Sequence, residues 1–333
     1  MSSQNKNHTS IFFAGHFAVD NIIRFKRINK PSLGGSVSYC SLALRTYTRD
    51  AKISIISHIG KLNFNNSLLD KIKNKNINLR GIKYSKVKNT NFVLDYFDHT
   101  RTLTLKSRSP NLDFNDIPLD FLKNPPDVFV LVPLCNEISY EYVSQILKKF
   151  PDAYIGIDLQ GFIRKIDEDG KVKYVYDTEI IANMRKIIDL IGDRLILKGS
   201  EEEMKLIAGE CDDFDEVITH CYEYNNNGIY IMTLGEKGSM LTKRGENILK
   251  IPAFKAKRVV DETGAGDVYF SIFLYEFIHL DKSWKSIEKS AYLASAAASF
   301  LVEKKGPAGC ETKKAILKRL KKKKYISNSQ KLE

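Results

Sequence analysis

"VVDETGAGDVYFSIFLYEF" (residues 259–277) sets Gly264, Ala265 and Gly266 directly before Asp267 and follows them with a long apolar run. The small residues bare the backbone. The run reads as a helix that starts near residue 267, and a helix start presents unpaired N–H groups and the positive end of a dipole. An acid there is favoured as the anion by roughly 0.3–1 kcal/mol, so Asp267 is expected to stay ionised and able to take a proton. The amides of 264–266 can point at a phosphate. A base beside an anion hole suits phosphoryl transfer to a hydroxyl: the acid takes the alcohol proton while the amides stabilise the group in flight. An ordinary helix cap looks the same, so the rest of the chain has to decide.

Working outward, short β-rich runs alternate with helical patterns. The strands are "IFFAG" (11–15), "ISIISHIG" (53–60), "DVFVLVPL" (127–134), "YIGIDLQG" (154–161), "RLILKG" (194–199) and "GIYIMTLG" (228–235). Near-continuous apolar runs are expected of parallel strands covered on both faces. Helical patterns lie between them, and two long helices follow near 267–280 and 284–303. The alternation predicts an α/β fold with a doubly wound, mainly parallel sheet. Two stretches break it. Residues 90–108 alternate with period two around a polar turn, and 21–33 read as extended; together they form a small β lid over a site. An exposed hairpin edge of this kind can also pair with a second copy to give a homodimer.

The totals narrow the class. The chain has 333 residues, 43% of them apolar, enough for one large α/β domain. It holds no apolar run of 18 residues, and its polar start lacks the apolar core of a secretion signal. Five scattered cysteines without a C-x-x-C read as reduced thiols in a cytoplasm. The net charge is +12, but residues 313–333 hold nine Lys/Arg and one Glu, so 12 − 8 leaves +4 for the rest. The expectation is a main domain over 10–312 and a basic C-terminal tail, frayed and solvated, that can touch nucleic acid or acidic lipid.

In open parallel sheets ligands sit at the carboxyl ends of the strands. Three further strand ends, and one helix start, run into glycine or acid. The first leads to Gly15 and Asp20, placed to accept hydrogen bonds from hydroxyls. "TLGEKG" supplies Thr233, Gly235 and Gly238, a second backbone approach to phosphate. "KGSEEE" supplies Ser200 and Glu203, the latter in a first helical turn where it can reach a water on Mg²⁺. "LGGSVSYC" pairs Gly34 with Gly35 at a helix start, allowing a ligand close to the backbone. Absences matter too. There is no G-x-x-x-x-G-K-[ST], no H-E-x-x-H, no cysteine–histidine cluster, and no G-x-G-x-x-G after the first strand. P-loop, zinc and nicotinamide chemistry are disfavoured.

The stretch 259–277 closely resembles the C-terminal signature of the ribokinase family, the phosphofructokinase-B type carbohydrate kinases. The order of the other pieces resembles it too, over roughly residues 10–310. The resemblance implies an ATP-dependent kinase using Mg²⁺, in many members with a monovalent cation such as K⁺. By similarity Asp267 is the base and 264–266 the anion hole; Thr233, Gly235 and Gly238 bind nucleotide; Asp20, Gly34 and Gly35 bind substrate; Glu203 organises Mg²⁺; Asp261 and Thr263 border the monovalent cation. There are departures. Tyr39 stands where the family usually has Asn, Ser200 replaces the Asn of N-x-x-E, and Ser295 stands near the adenine pocket in place of an Asn. Asp158, Gln160 and Arg164 fall in a stretch that lines the site in some members. The expected acceptor is a sugar, polyol or nucleoside. The alternatives are a sugar acid such as 2-keto-3-deoxygluconate, or an inactive scaffold that binds nucleic acid through its basic tail.

Overall fold

The computed structural model describes residues 8–24, 27–28, 31–97, 100–209, 211, 213–224 and 226–326. Parts of the two expected lid stretches (25–26, 29–30 and 98–99) and the end of the basic segment (327–333) lie outside the described residues.

Nine strands form one sheet in the order Leu249–Ile251, Ser239–Thr242, Ile229–Thr233, Leu195–Ser200, Tyr154–Asp158, Val128–Leu131, Thr9–Ala14, Ala51–Gly60 and Asn78–Ser85. The pairings from Asn78–Ser85 through Ile229–Thr233 are parallel; the last two, at the opposite edge, are antiparallel. The six apolar runs are the six inner strands. Val128, Phe129, Val130 and Leu131 are fully buried, as a strand covered on both faces requires. Of the three strands without an apolar run, Leu249–Ile251 and Asn78–Ser85 are the sheet edges, where one partner and partial solvation remove the need for it, while Ser239–Thr242 is short, buried and antiparallel to both neighbours.

Helices Ser36–Tyr47, Ala265–His279 and Trp284–Leu301 bury one face of the sheet. Tyr140–Lys149, Thr178–Ile191, Glu201–Ala208 and Phe214–His220 bury the other. Strands Ala18–Arg24, Arg27–Ile28, Ser32–Gly34, Asn91–Phe97 and Thr100–Ser107 make a second, smaller sheet, the lid. It meets the body through a small apolar cluster of Ala18, Phe92, Leu94, Leu134 and Cys135. At its root, Asn89 accepts from Gly60 N and donates to Phe17 O, and Thr90 Oγ1 bonds His16 Nδ1 (2.9 Å), all buried. No disulfide joins any of the five cysteines, and among the described residues no helix is long and apolar enough to cross a membrane.

The basic segment differs from the frayed tail expected of it. Lys313–Lys322 is a helix capped by Thr312, whose Oγ1 accepts from Ala315 N. Ile316 is buried; Arg319 lies over the Phe300 ring, donates to Ser299 Oγ and pairs with Glu303 (2.6 Å). Beyond it Lys324 O accepts from Lys255 N, Ile326 N donates to Ala253 O, and Tyr325 packs on Phe254 with ring centroids 4.9 Å apart. The lysines hid an apolar stripe. Ile316→Ala should therefore destabilise the whole domain by roughly 2–4 kcal/mol in urea unfolding; an unchanged midpoint would mean that this helix contributes nothing.

Candidate active site

Asp267 stands in the first turn of the Ala265–His279 helix, whose N-cap is Gly264 in the left-handed region (φ 84°). Gly264 tolerates no side chain for a second reason: a Cβ there would lie 2.1 Å from Tyr39 Cδ1. The Ala265 amide donates to Glu262 O, closing the turn. This corrects its expected place among the anion-hole donors. Among the described residues the Gly266 and Asp267 amides have no backbone partner, which is the usual state of a first helical turn. They are the first-turn pair left to face an anion; among the described residues the amide of Gly264, at the N-cap, has no backbone partner either.

A cavity of about 220 Å³ opens over this turn. It gathers Asp20, Gly35, Tyr39, Asp158, Gln160, Arg164, Thr263 and the 264–267 turn, roofed by Phe92, Leu94 and Leu103 of the lid. Gly34 sits just behind: a Cβ on it would fall 1.8 Å from Asp20 Oδ2, so glycine there is what lets the Asp20 carboxylate lie against the helix start.

The cavity floor is charged. Lys198 Nζ pairs with Asp158 Oδ2 at 2.6 Å, both buried, and lies 3.0 Å from where a Cβ on Gly266 would stand. The ammonium is thus poised beside the open amides. Burial alone would lower the Lys198 pKa; Asp158, Glu203 and Asp267 outweigh it and raise it, so the charge is secure. Sequence reasoning missed this residue. Its signal was a lysine inside the apolar strand run "RLILKG", two residues before Ser200.

Burial raises the Asp267 pKa to about 7, and repulsion from Asp158 adds to it, against the pull of Lys198, the Ser36 hydroxyl and Arg164. The helix-start effect that was expected to keep Asp267 ionised is smaller than the desolvation of a carboxylate in this cavity. The Ser36 hydroxyl, also missed, links the base to a relay: it accepts from Gln160 Nε2 (2.6 Å), and Gln160 Oε1 accepts from Arg164 Nη2 (3.0 Å). The other Arg164 donors go to Leu134 O and Tyr174 Oη. Asp158 and Arg164, expected to contact substrate, line the cavity and are also engaged with protein groups; their charges bear on Asp267, Asp158 raising and Arg164 lowering its pKa.

Ser200 and Glu203 form a reciprocal capping box, with Ser200 N donating to Glu203 Oε2 (2.8 Å). Glu203 is buried; burial and Asp158 raise its pKa. Among the described residues, the carboxylates of Asp158, Glu203 and Asp267 face the cations of Lys198 and Arg164, a balance short of positive charge that fits a divalent cation close by. The carboxylate of Asp261 accepts from Thr263 N and Gly306 N, both at 3.2 Å, while Thr263 Oγ1 is buried with no hydrogen-bond partner. An orphaned oxygen beside a buried carboxylate fits a monovalent cation.

Thr233, Gly235 and Ser200 line a separate open groove of about 470 Å³ with Glu201, Glu202 and Lys205. Gly238 backs onto Ile251 O and Ser295 Oγ donates to Pro252 O; neither lines the groove.

A family model described as pfkB family carbohydrate kinase matches residues 41–314. A putative sugar kinase of Pyrococcus horikoshii is 24% identical over 282 residues, 80% of each chain. The fold is shared with a Vibrio cholerae fructokinase seen with fructose, ADP and calcium (TM-score 0.74, 16% identity, 95% of this chain and 100% of that one). It is shared also with a pyrophosphate-dependent ribokinase-family kinase seen with a pyrophosphate analogue and myo-inositol (TM-score 0.72, 19% identity, 89% and 96%). The chain belongs to the pfkB family of carbohydrate kinases.

Proposed function

We propose that this kinase transfers the γ-phosphoryl group of ATP to a hydroxyl of a sugar, polyol or nucleoside, with Asp267 as the base. The observation that carries the reading is a half-desolvated carboxylate, two open amides and a buried ammonium meeting in one lidded cavity. Asp267 takes the hydroxyl proton, the oxygen bonds the γ-phosphorus, and the bond to the departing ADP breaks. The Gly266 and Asp267 amides and Lys198 hold the charge of the transferring group. Asp20 and the Gly34–Gly35 turn position the acceptor, and the groove at Ser200, Thr233 and Gly235 takes the nucleotide. A divalent cation such as Mg²⁺, when bound, would neutralise phosphate charge, and Glu203 would hold one of its waters. Asp261 and Thr263 would hold K⁺. Phe92, Leu94 and Leu103 exclude water, which limits loss of the phosphoryl group to hydrolysis.

The test is ADP release with Mg²⁺-ATP against a panel of sugars, sugar acids, polyols and nucleosides. Inorganic pyrophosphate serves as a second donor arm, because a protein of this fold uses it. Silence with every donor and acceptor would defeat the reading. The pH dependence gives an independent check. The carboxylate is the base and is half protonated near pH 7, so kcat/KM should climb as pH rises through about 7 and level off above it. A flat profile from pH 5.5 to 8.5 would remove Asp267 from the proton transfer.

A further inference from the structure

Tyr39 is a large side chain at a position that opens onto both the reacting centre and a second cavity. Its ring rests against Gly264, and its hydroxyl reaches within 3.6 Å of where a Cβ on Gly306 would stand. It is 6% exposed, so the ring is a fixed part of the wall. The inner cavity, about 220 Å³, lies on one side. On the other lies an outer cavity of about 450 Å³ bounded by Leu33, Leu68, Lys71, Lys305 and Pro307. Asp20, Tyr39 and Thr263 border both. Burial raises the phenol pKa, and the nearby Asp20, Asp261 and Asp267 carboxylates raise it further, so the wall stays uncharged.

We propose that Tyr39 sets the size of the acceptor, closing the inner cavity to anything larger than a single ring. The inference rests on the phosphotransfer reading above. The inner cavity has to admit both the transferring phosphoryl group, at the Gly266 and Asp267 amides, and the acceptor hydroxyl beside Asp267. Its volume is below the ~300–1,000 Å³ common for sites that take drug-sized ligands. What remains accommodates one sugar or polyol ring under Phe92 and Leu94. The base of a nucleoside, or the second ring of a disaccharide, needs the space beyond Tyr39. The acceptor is accordingly a pentose, a hexose or a cyclic polyol. Removing the ring merges the two cavities and admits the longer acceptors.

The experiment compares kcat/KM for single-ring acceptors with that for nucleosides and disaccharides, in wild type, Tyr39→Phe, Tyr39→Leu and Tyr39→Ala. The wild type should favour single rings. The two-ring to single-ring ratio should rise by about tenfold or more in Tyr39→Ala, rise less in Tyr39→Leu, and stay put in Tyr39→Phe. Tyr39→Leu keeps an apolar side chain in place should the alanine variant fail to fold. A wild type that turns over single rings, with an unchanged ratio in the leucine and alanine variants, overturns the wall and leaves the kinase reading standing. So does a wild type that prefers nucleosides. A wild type that turns over no acceptor of either size removes the kinase reading, and this inference with it.

Discussion

Asp267→Asn lowers kcat by at least about a hundredfold while leaving the protein as stable as before, or more so. The loss follows from what a positioned base contributes, typically 10²–10⁴-fold. Asparagine fills the same space at the same helix start but cannot take the hydroxyl proton. The acceptor KM should move little, because the lost interaction belongs to the transition state. Stability goes the other way for an electrostatic reason. The Asp267 pKa is raised to about 7 by burial and by Asp158. Its folded-state pKa is therefore above the unfolded one, and the charged form is the form the fold disfavours. Above pH 7 the amide removes that penalty, so the urea midpoint at pH 8 should hold or increase. A folded Asp267→Asn protein with near wild-type turnover would defeat the assignment. A sharp loss of stability would mean that the carboxylate is structural.

Lys198→Met shows the opposite balance: it loses both rate and stability. The ammonium lies beside Gly266 and pairs with Asp158 at 2.6 Å in the interior. Taking it away removes a preorganised positive charge from the transferring phosphoryl group, an effect comparable to losing an oxyanion-hole donor, about 10²–10³ in kcat. It also leaves Asp158 buried without its partner, at a cost of about 3–5 kcal/mol. Adding Asp158→Asn to Lys198→Met separates the two roles. The double variant should regain much of the stability and none of the rate. A Lys198→Met enzyme with unchanged kcat and lowered stability would make the pair purely structural.

These two residues also show what could be read from the chain alone. Asp267 announces itself because its neighbours in sequence, Gly264 to Gly266, create its surroundings. The inner strands are legible for a similar reason, since burial on both faces forces a continuous apolar run. The pKa of Asp267 is not legible, because the burial that raises it, and the Asp158 and Lys198 charges that act on it next, come from other strands of the fold. Lys198 was hidden for the same reason: a lysine in a strand acquires meaning only when the carboxylate across the sheet is known. Asp158 and Arg164 sat in the expected stretch, but with their hydrogen bonds made inside the protein. In the C-terminal segment the spacing of Ile316, Leu317 and Leu320 was present, but the lysine run drew the reading toward charge.

The lid adheres to the body through a few apolar residues, while the two faces of the large sheet bury dozens. Its root is held differently, by the buried polar ties of Asn89 and Thr90. Free energy is therefore distributed unevenly along the chain. The small sheet can detach in a local opening that costs only a fraction of global unfolding, and the pinned root brings it back to the same place. Substitutions on the lid's inner face can then retune acceptor capture and product escape without drawing on the reserve that keeps the domain folded.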